Sequence, residues 1–281
     1  MIRQAFDYEY DKIIQIWEDA FHDEKEYISF FLSQHPCYTC LVYETKQRIA
    51  AMLFLIPCSL ARQSGYYVYA CATSPEYQRK GYMRQLLEFS FRKAQQEKAF
   101  GLILVPGSNS LFKYYEKIGY QKFSGLGRTI FYSRRTERFL FQSYHDSQLI
   151  LQIRNKFFDV KTSVHFGESH IQYIMKQVEK SSGAVLLFSQ NEKTGYALCL
   201  EDALSKELHV MEWALLSDNL EKDAYPFFEG ICHYFDKMQL FIRSQAKLNM
   251  GMTWPFSMIR RCKDVVFPDY RLSYFNLGMD T

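Results

Sequence analysis

The chain lacks a long hydrophobic run, a strong charge of one sign and a paired cysteine framework. Its apolar stretches fall well short of the ~20 residues needed to span a membrane. The first residues, MIRQAFDYEYDK, have no resemblance to a secretory leader. Seven cysteines, odd in number and scattered, do not suit a secreted disulfide scaffold. The nearest two, Cys37 and Cys40, fall where CYTCLVYET reads as a strand, and residues three apart on a strand face opposite sides. Buried structural thiols are therefore expected rather than a metal or redox motif. His165 and His170 have no partners at ligand spacing, so no metal is expected. A net charge of +3 and a pI near 8.3 are too mild to make nucleic acid the partner. These absences lead to the expectation of a cytoplasmic protein that binds neither nucleic acid nor membrane.

What is present is aromatic. Phe and Tyr supply nearly all of a 17% aromatic fraction, enough to line cores and a cleft with rings. At 281 residues the chain has room for two domains. Ile13, Ile16, Trp17, Ala20 and Phe21 repeat at helical spacing, and a second helical piece over 24–34 ends before Pro36. Strands are expected at 37–45, 49–61 and 65–74, joined by turns at Lys46-Gln47 and Gln63-Ser64-Gly65. The stretch YYVYACATSPEYQRKGYMRQLLE, residues 66–88, then joins an aromatic strand to an amphipathic helix through Gln78-Arg79-Lys80-Gly81. A glycine that lets the backbone curl, successive N–H groups and a helix N-terminus together hold an anion. Cations here oppose the helix dipole unless such an anion is bound, which points to a phosphate-bearing ligand. The buried run GLILV at 101–105 completes a strand–helix–strand unit, so the strands before and after the helix should be parallel neighbours. A short helix over 110–118 and two strands near 120–123 and 128–134 follow.

This order of elements, PEYQRKGYMRQLL after the central strand and NSLFKYYEKIGY in the last helix together resemble the GNAT superfamily of acetyl-CoA-dependent N-acetyltransferases. The resemblance covers residues 1 to about 135. It implies a GNAT fold, a mixed twisted α/β sheet flanked by helices, with acetyl-CoA as co-substrate. The family's turn ends in a small residue two positions after its glycine, where this chain has Met83 followed by Arg84. That form is similar to the enhanced-intracellular-survival branch of aminoglycoside acetyltransferases. The resemblance implies that pantetheine lies along Cys71, Ala72 and Thr73, and that Gln78, Arg79, Lys80, Gly81, Tyr82, Met83 and Arg84 seat the pyrophosphate. It makes Tyr115 the residue for chemistry, with Tyr114 as the fallback, and Asn109 a cofactor contact one residue off the family spacing. A phenol near the reacting thioester can hydrogen-bond the departing thiolate. Full proton transfer is uphill by about 2 kcal/mol at ordinary pKa values, so stabilisation of developing charge is the expected role. Tyr120 reads as structural. The central strand carries no carboxylate or histidine to act as base. His22, Asp23, Glu24 and Glu26 fall where relatives roof the acceptor pocket, and deprotonation through ordered water is equally compatible.

Arg134-Arg135-Thr136-Glu137-Arg138 is a charged break. Beyond it a helix at 169–180, strands at 184–190, 195–200 and 207–216, a helix at 220–235 and a strand at 238–242 repeat the earlier order. The turn does not repeat, since Ser217-Asp218-Asn219-Leu220-Glu221 has no glycine and offers acid instead of base. The expectation is a catalytic GNAT domain over 1–135 and a degenerate GNAT-like domain over 140–281 without a cofactor site, walling the acceptor cleft. A sterol-carrier-like third domain, present in the enhanced-intracellular-survival branch, is expected to be absent. Trp254-Pro255-Phe256, with Met250 and Met252, reads as core packing. The expected activity is transfer of an acetyl group to a primary amine, on a small molecule or a peptide, by direct attack in a ternary complex. Two other readings stay open: a non-catalytic acyl-CoA-binding or regulatory module, and an aminoacyl transferase of the peptidoglycan type, against which the mild charge and intact turn argue. A dimer or a higher oligomer is compatible with the sequence.

Overall fold

A computed structural model gives the fold and describes residues 1–136, 138–143, 146–190, 192–262 and 270–276. Glu137, within the charged break, lies outside the described residues. Two compact units emerge. The first comprises Met1–Lys122 and Ser257–Val266, the second Phe123–Phe256 and Phe267–Thr281. The sequence placed the division in the charged break at 134–138. The contacts place it at Lys122/Phe123 and add a segment from late in the chain to the first unit.

The first unit begins with β1 (Ile2–Gln4), α1 (Tyr10–Phe21) and α2 (Lys25–Gln34). Ile13, Ile16 and Trp17 form the buried stripe of α1, and Ile28 and Phe31 that of α2. Three antiparallel strands follow, β2 (Thr39–Thr45), β3 (Arg48–Leu60) and β4 (Gln63–Thr73), with β1 paired to β2. Then come α3 (Tyr82–Gln96), β5 (Gly101–Leu104), parallel to β4 as its strand–helix–strand pattern requires, and α4 (Asn109–Lys117). Side-chain alternation divides the sheet. Leu41, Leu53, Leu55 and Val68 pack on Leu86, Leu87 and Phe91 of α3, with Tyr115 of α4 in the same core. On the other face Trp17 meets Phe54 at 5.3 Å and Tyr69 at 5.4 Å, and Phe31 meets Phe54 at 5.1 Å. The turn between β3 and β4 is Ala61-Arg62, with Leu60 opposite Gln63, two residues earlier than the sequence placed it.

The second unit contains most of β6 (Gln121–Tyr132), then β7 (Gln142–Ser143), α5 (Ser147–Phe157), β8 (Val164–His165), α6 (Glu168–Lys180), β9 (Ala184–Gln190), β10 (Lys193–Glu201), β11 (Leu208–Leu216), α7 (Leu220–Tyr234) and β12 (Gln239–Gln245). Its strands pair in the order β6–β12–β11–β10–β9–β7, with β11 and β12 parallel. The two strands expected near 120–134 are one. Gly125-Leu126-Gly127 continues the strand because its glycines meet close neighbours: a Cβ at Gly125 would stand 2.9 Å from the Ala246 Cβ. A last strand, β13 (Met252–Arg261), supplies Met258 through Arg261 as antiparallel partners of Leu104 back to Gly101 in the first unit. Trp254, Pro255 and Phe256, read as a packing cluster, are thus strand residues. A buried polar network fixes the second unit from within. Arg154 donates from Nε and Nη2 to both oxygens of Glu212, at 3.0 and 3.2 Å, and Tyr196 and Tyr274 donate to the same carboxylate. No helix among the described residues is long and apolar enough to cross a membrane.

Candidate active site

The site begins where β4 leaves the ladder. Met52 pairs with Ala72 and Phe54 with Tyr69, so Ala70 and Cys71 both stand across from Leu53. That is a β-bulge, and Ala70 takes φ of +48° to make it. On its other side β4 pairs with β5 at Tyr66–Leu102 and Tyr67–Ile103. The described ladder goes no further, although β4 runs on to Thr73. The backbone of Cys71, Ala72 and Thr73 thus borders an opening between two parallel strands, where an extended ligand could pair with its edge.

A short 3-10 turn over Pro75–Tyr77 leads from the strand into the Gln78–Gly81 loop. Gln78 is extended, with its Nε2 3.5 Å from the Thr73 carbonyl. Arg79 and Gly81 are left-handed, at φ +62° and +79°. At Gly81 this conformation suits only glycine well, and a Cβ there would meet nothing within 4 Å. Helix α3 starts at Tyr82 with no side-chain cap and no acid in its first turn. The amides of Tyr82, Met83 and Arg84 therefore lack carbonyl partners within the helix, and the positive end of the dipole is exposed. Arg79 and Arg84 are exposed, whereas Lys80 folds back, its Nζ donating to the Glu76 carbonyl at 2.8 Å and lying 5.1 Å from the Tyr77 ring centre. Tyr82 stacks on Tyr43 of β2 at 4.4 Å and so anchors the helix start. Met83 packs against the core. Its side chain lies beneath the helix, which explains why a bulky residue is compatible with an open N-terminus.

Helix α4 brings the tyrosines. Ser108 caps it, its Oγ accepting from Leu111 N at 3.4 Å, and Asn109 is its exposed first residue. Tyr115 is 6% exposed, and its hydroxyl hydrogen-bonds the Cys71 thiol at the bulge. Burial first, and then Cys71, push that phenol well above its ordinary pKa. Burial likewise raises the Cys71 thiol to about 12, so it is no thiolate at neutral pH. Tyr114 is half-buried, its ring 5.3 Å from that of Tyr115, and its pKa is raised by burial and Cys71 against the pull of Arg84. Tyr120 is buried, and its hydroxyl has no hydrogen-bond partner among the described residues. The structure thus brings Cys71, Tyr114, Tyr115 and Arg84 together beside the opening of β4.

The histidine and acids of the α1–α2 segment have separate settings. Asp23 accepts from Trp17 Nε1 at 2.7 Å, His22 ends α1 in a left-handed conformation, and Glu24 and Glu26 are exposed. A pair that sequence reasoning missed stands nearer the central strand: Tyr27 of α2 and Tyr69 of β4 share a 2.8 Å hydrogen bond. The alternating tyrosines of YYVYACAT hinted at a polar lining, but their partner lies 42 residues away. Of the expected thiol pair, Cys40 is buried, while Cys37 is exposed because it precedes β2. Among the described residues no group of His, Cys, Asp and Glu could hold a metal ion.

In the second unit the start of α7 is closed by its own side chains. The Asn219 side chain caps α7 by accepting from Lys222 N at 3.0 Å, Ser217 hydrogen-bonds Asp223, and Glu221 and Asp223 occupy the first turn. Lys193 pairs with Asp223 at 2.7 Å.

The site thus lies in a mixed α/β sheet with helices on its faces, where a strand leaves its parallel neighbour ahead of an uncapped helix. Residues 1–123 match the model of the acetyltransferase (GNAT) domain family. Solved structures share the fold over nearly the whole chain. A conserved protein from Enterococcus faecalis, described as a probable N-acyltransferase, superposes with a TM-score of 0.74 at 15% identity, over 93% of this chain and 72% of that one. A GCN5-related N-acetyltransferase from Anabaena variabilis gives 0.74 at 13% identity, over 94% and 73%. Eis1 from Mycobacterium abscessus gives 0.64 at 10% identity, over 93% and 74%. No curated protein matches the sequence.

Proposed function

We propose that the protein is an acetyl-CoA-dependent N-acetyltransferase that transfers an acetyl group to a primary amine by direct attack in a ternary complex. The observation that carries this reading is the continuity of three features: the open edge of β4 at Cys71–Thr73, the uncapped start of α3 behind Gly81, and the buried Tyr115 hydroxyl beside Cys71. In this reading the pantetheine arm pairs with the β4 edge. The pyrophosphate takes the amides of Tyr82, Met83 and Arg84, with Arg79 and Arg84 supplying charge. Lys80 serves the turn itself through Glu76. Asn109, at the start of α4, faces solvent and is a peripheral contact at most.

The Tyr115 hydroxyl donates to the sulfur as the C–S bond breaks. Charge developing on sulfur is then stabilised in a poorly solvated site, where such a bond counts for more than in water. Proton removal from the attacking amine goes through water, because the acids of the α1–α2 segment are exposed or, like Asp23, already engaged. The second unit is read as a GNAT-like companion whose α7 start is closed to an anion by its own side chains. A second reading, a non-catalytic acyl-CoA-binding module, is favoured by the lack of a carboxylate or histidine on β4. Two measurements separate them. Acetyl-CoA should raise the melting temperature of the full chain in both, and no shift at saturating ligand sinks both. Release of free CoA thiol across a panel of primary amines supports the enzyme, and its absence across the panel supports the binding module.

A further inference from the structure

In the first unit, alternation along β4 turns Tyr66 and Val68 to the face packed by α3 and α4. Continued without interruption, it would turn Ala70 and Ala72 to that face and Cys71 away from it. The bulge resets the count. Ala70 and Cys71 share Leu53 as their opposite, and Cys71 packs into the same core as Leu53 and Tyr115. The reset requires Ala70 to adopt φ of +48°, unfavourable for a residue with a Cβ. Strain of this kind persists where the surrounding structure holds it in place, and it clusters at functional sites. Its effect here is to set a thiol under helix α4.

Three side chains with a thiol or a hydroxyl meet there. The Tyr115 hydroxyl hydrogen-bonds the Cys71 thiol. The Tyr120 ring stands edge-on to that of Tyr115, with centres 5.5 Å apart. Tyr120 is 2% exposed, and its hydroxyl is unpartnered among the described residues. Burial raises the pKa of that phenol, and after burial Cys71 is the strongest influence on it, so thiol and hydroxyl lie within each other's field. The ion pair of Glu88 and Arg260 acts on Tyr120 in two opposing senses. A buried hydroxyl left without a partner destabilises a fold, whereas a phenylalanine in its place does not. Packing alone therefore does not account for a tyrosine at this position.

We propose that Tyr120, Cys71 and Tyr115 form a hydrogen-bond relay that aims the Tyr115 hydroxyl at the cofactor sulfur, with Cys71 and Tyr120 as positioning residues. The relay rests on the reading of Tyr115 as donor to the departing sulfur. In the free chain Cys71 holds the Tyr115 hydroxyl at the β4 edge. When acetyl-CoA takes that edge, the Tyr115 O–H turns to the thioester sulfur and releases Cys71. The Cys71 S–H then donates to the Tyr115 oxygen, and the Tyr120 O–H donates to the Cys71 sulfur. All three bonds point the same way, so each polarises the next and Tyr115 becomes the stronger donor. No proton crosses the relay. The electron pair of the C–S bond goes to sulfur, and the CoA thiolate takes its proton from water. A thiol is a weak donor and a weak acceptor, so the expected effects are small but specific.

The test combines steady-state kinetics of the full chain, on the best primary amine of the panel, with infrared spectroscopy of the Cys71 S–H stretch. Cys71→Ala should lower kcat roughly three- to tenfold and Tyr120→Phe roughly two- to fivefold, each with KM for acetyl-CoA unchanged. In a Tyr115→Phe background neither should lower kcat further, since the relay then has no end to act on. Tyr120→Phe should melt no lower than the unaltered chain, because it removes an unpartnered hydroxyl. The S–H band, isolated as the difference between the unaltered chain and Cys71→Ala, should move to lower frequency when acetyl-CoA is added. It should not move in Tyr115→Phe. This readout needs no turnover, so it decides the relay even where every amine of the panel is refused. Unchanged kcat in both single variants, losses that persist in the Tyr115→Phe background, a melting temperature several degrees lower in Tyr120→Phe, or an S–H band that acetyl-CoA leaves in place would overturn the relay alone. Unchanged turnover in Tyr115→Phe would overturn the reading of Tyr115, and the relay with it.

Discussion

Tyr115 combines two properties that pull in different directions. Its burial makes the phenol a weaker acid than free tyrosine, so complete proton transfer to a thiolate becomes less favourable. The same burial keeps the proton on oxygen at every pH where the enzyme would work, and a retained proton is what hydrogen-bond donation needs. Tyr115→Phe keeps the ring packing with Tyr114 and Tyr120 and removes only the donor. Under the proposed mechanism kcat should fall on the order of 10²-fold while the melting temperature and KM for acetyl-CoA change little. Unchanged turnover would remove Tyr115 from the chemistry. A second residue, His35, predicts acid lability. Desolvation holds it to about 4, against an ordinary value of 6.5, and it is only 7% exposed. A group buried in its neutral form contributes stability above pH 6.5, and that contribution is lost as pH falls from 6.5 towards 4. The loss is on the order of 3 kcal/mol. Urea denaturation at pH 7 and pH 4.5 should show it, and His35→Gln should flatten the difference; an equally steep pH dependence in that variant would rule His35 out. At this scale the sequence was readable where a residue's function follows from its neighbours in the chain. Gly81, Arg79 and Arg84 stand out because turn and helix start adjoin. The Tyr27–Tyr69 pair and the contact between Cys71 and Tyr115 arise only when distant segments meet, and no local spacing announces them.

Elements were readable in the same measure. Strand–helix–strand at 66–105 follows from periodicity, and the parallel pairing of β4 with β5 follows from its handed crossover. The bulge at Ala70-Cys71 carries no glycine and no proline, so nothing in the sequence marks the point where β4 bends from its partner. Gly125 and Gly127 misled in the opposite direction: glycines that usually break a strand are there to admit close neighbours. The hairpins show a related mismatch. Lys46-Gln47 and Ala61-Arg62 are two-residue turns with positive φ at both positions, 47° and 60° in one, 50° and 63° in the other. Such turns favour Asn-Gly, and ordinary side chains in the left-handed region cost roughly 1 kcal/mol each. Replacing Ala61-Arg62 by Asn-Gly should therefore stabilise the chain by about 1 kcal/mol and raise its melting temperature by roughly 2–4 °C. A calorimetric scan decides it, and a lowered transition would mean that the Ala61 or Arg62 side chain contributes more than the strain it carries.

For the whole molecule, the feature that no reading of the first half could supply is β13. Met258 and Ile259, 0% and 3% exposed, extend the sheet of the first unit beside β5. Arg260 then reaches Glu88 of α3 through two hydrogen bonds, at 2.8 and 3.1 Å, and lies 3.9 Å from the centre of the Phe91 ring. The helix that opens the proposed cofactor seat is thus braced by a residue encoded more than 170 positions later. Burying two apolar side chains contributes roughly 3–6 kcal/mol. A whole domain retains only about 5–15 kcal/mol against unfolding. Removal of β13 would also leave β5 as a bare, apolar edge, open to pairing with other chains. A fragment of residues 1–135, which covers the stretch that matches the family model, should therefore fail to fold as a cooperative unit. Its thermal transition by circular dichroism should be broad or missing, it should aggregate, and acetyl-CoA should not restore it. Appending residues 252–262 through a flexible linker should recover a sharp transition if the pairing with β5 is what was lost. A fragment 1–135 that melts cooperatively within a few degrees of the full chain would show that β13 is dispensable, and that the first unit is the self-sufficient domain its sequence suggests.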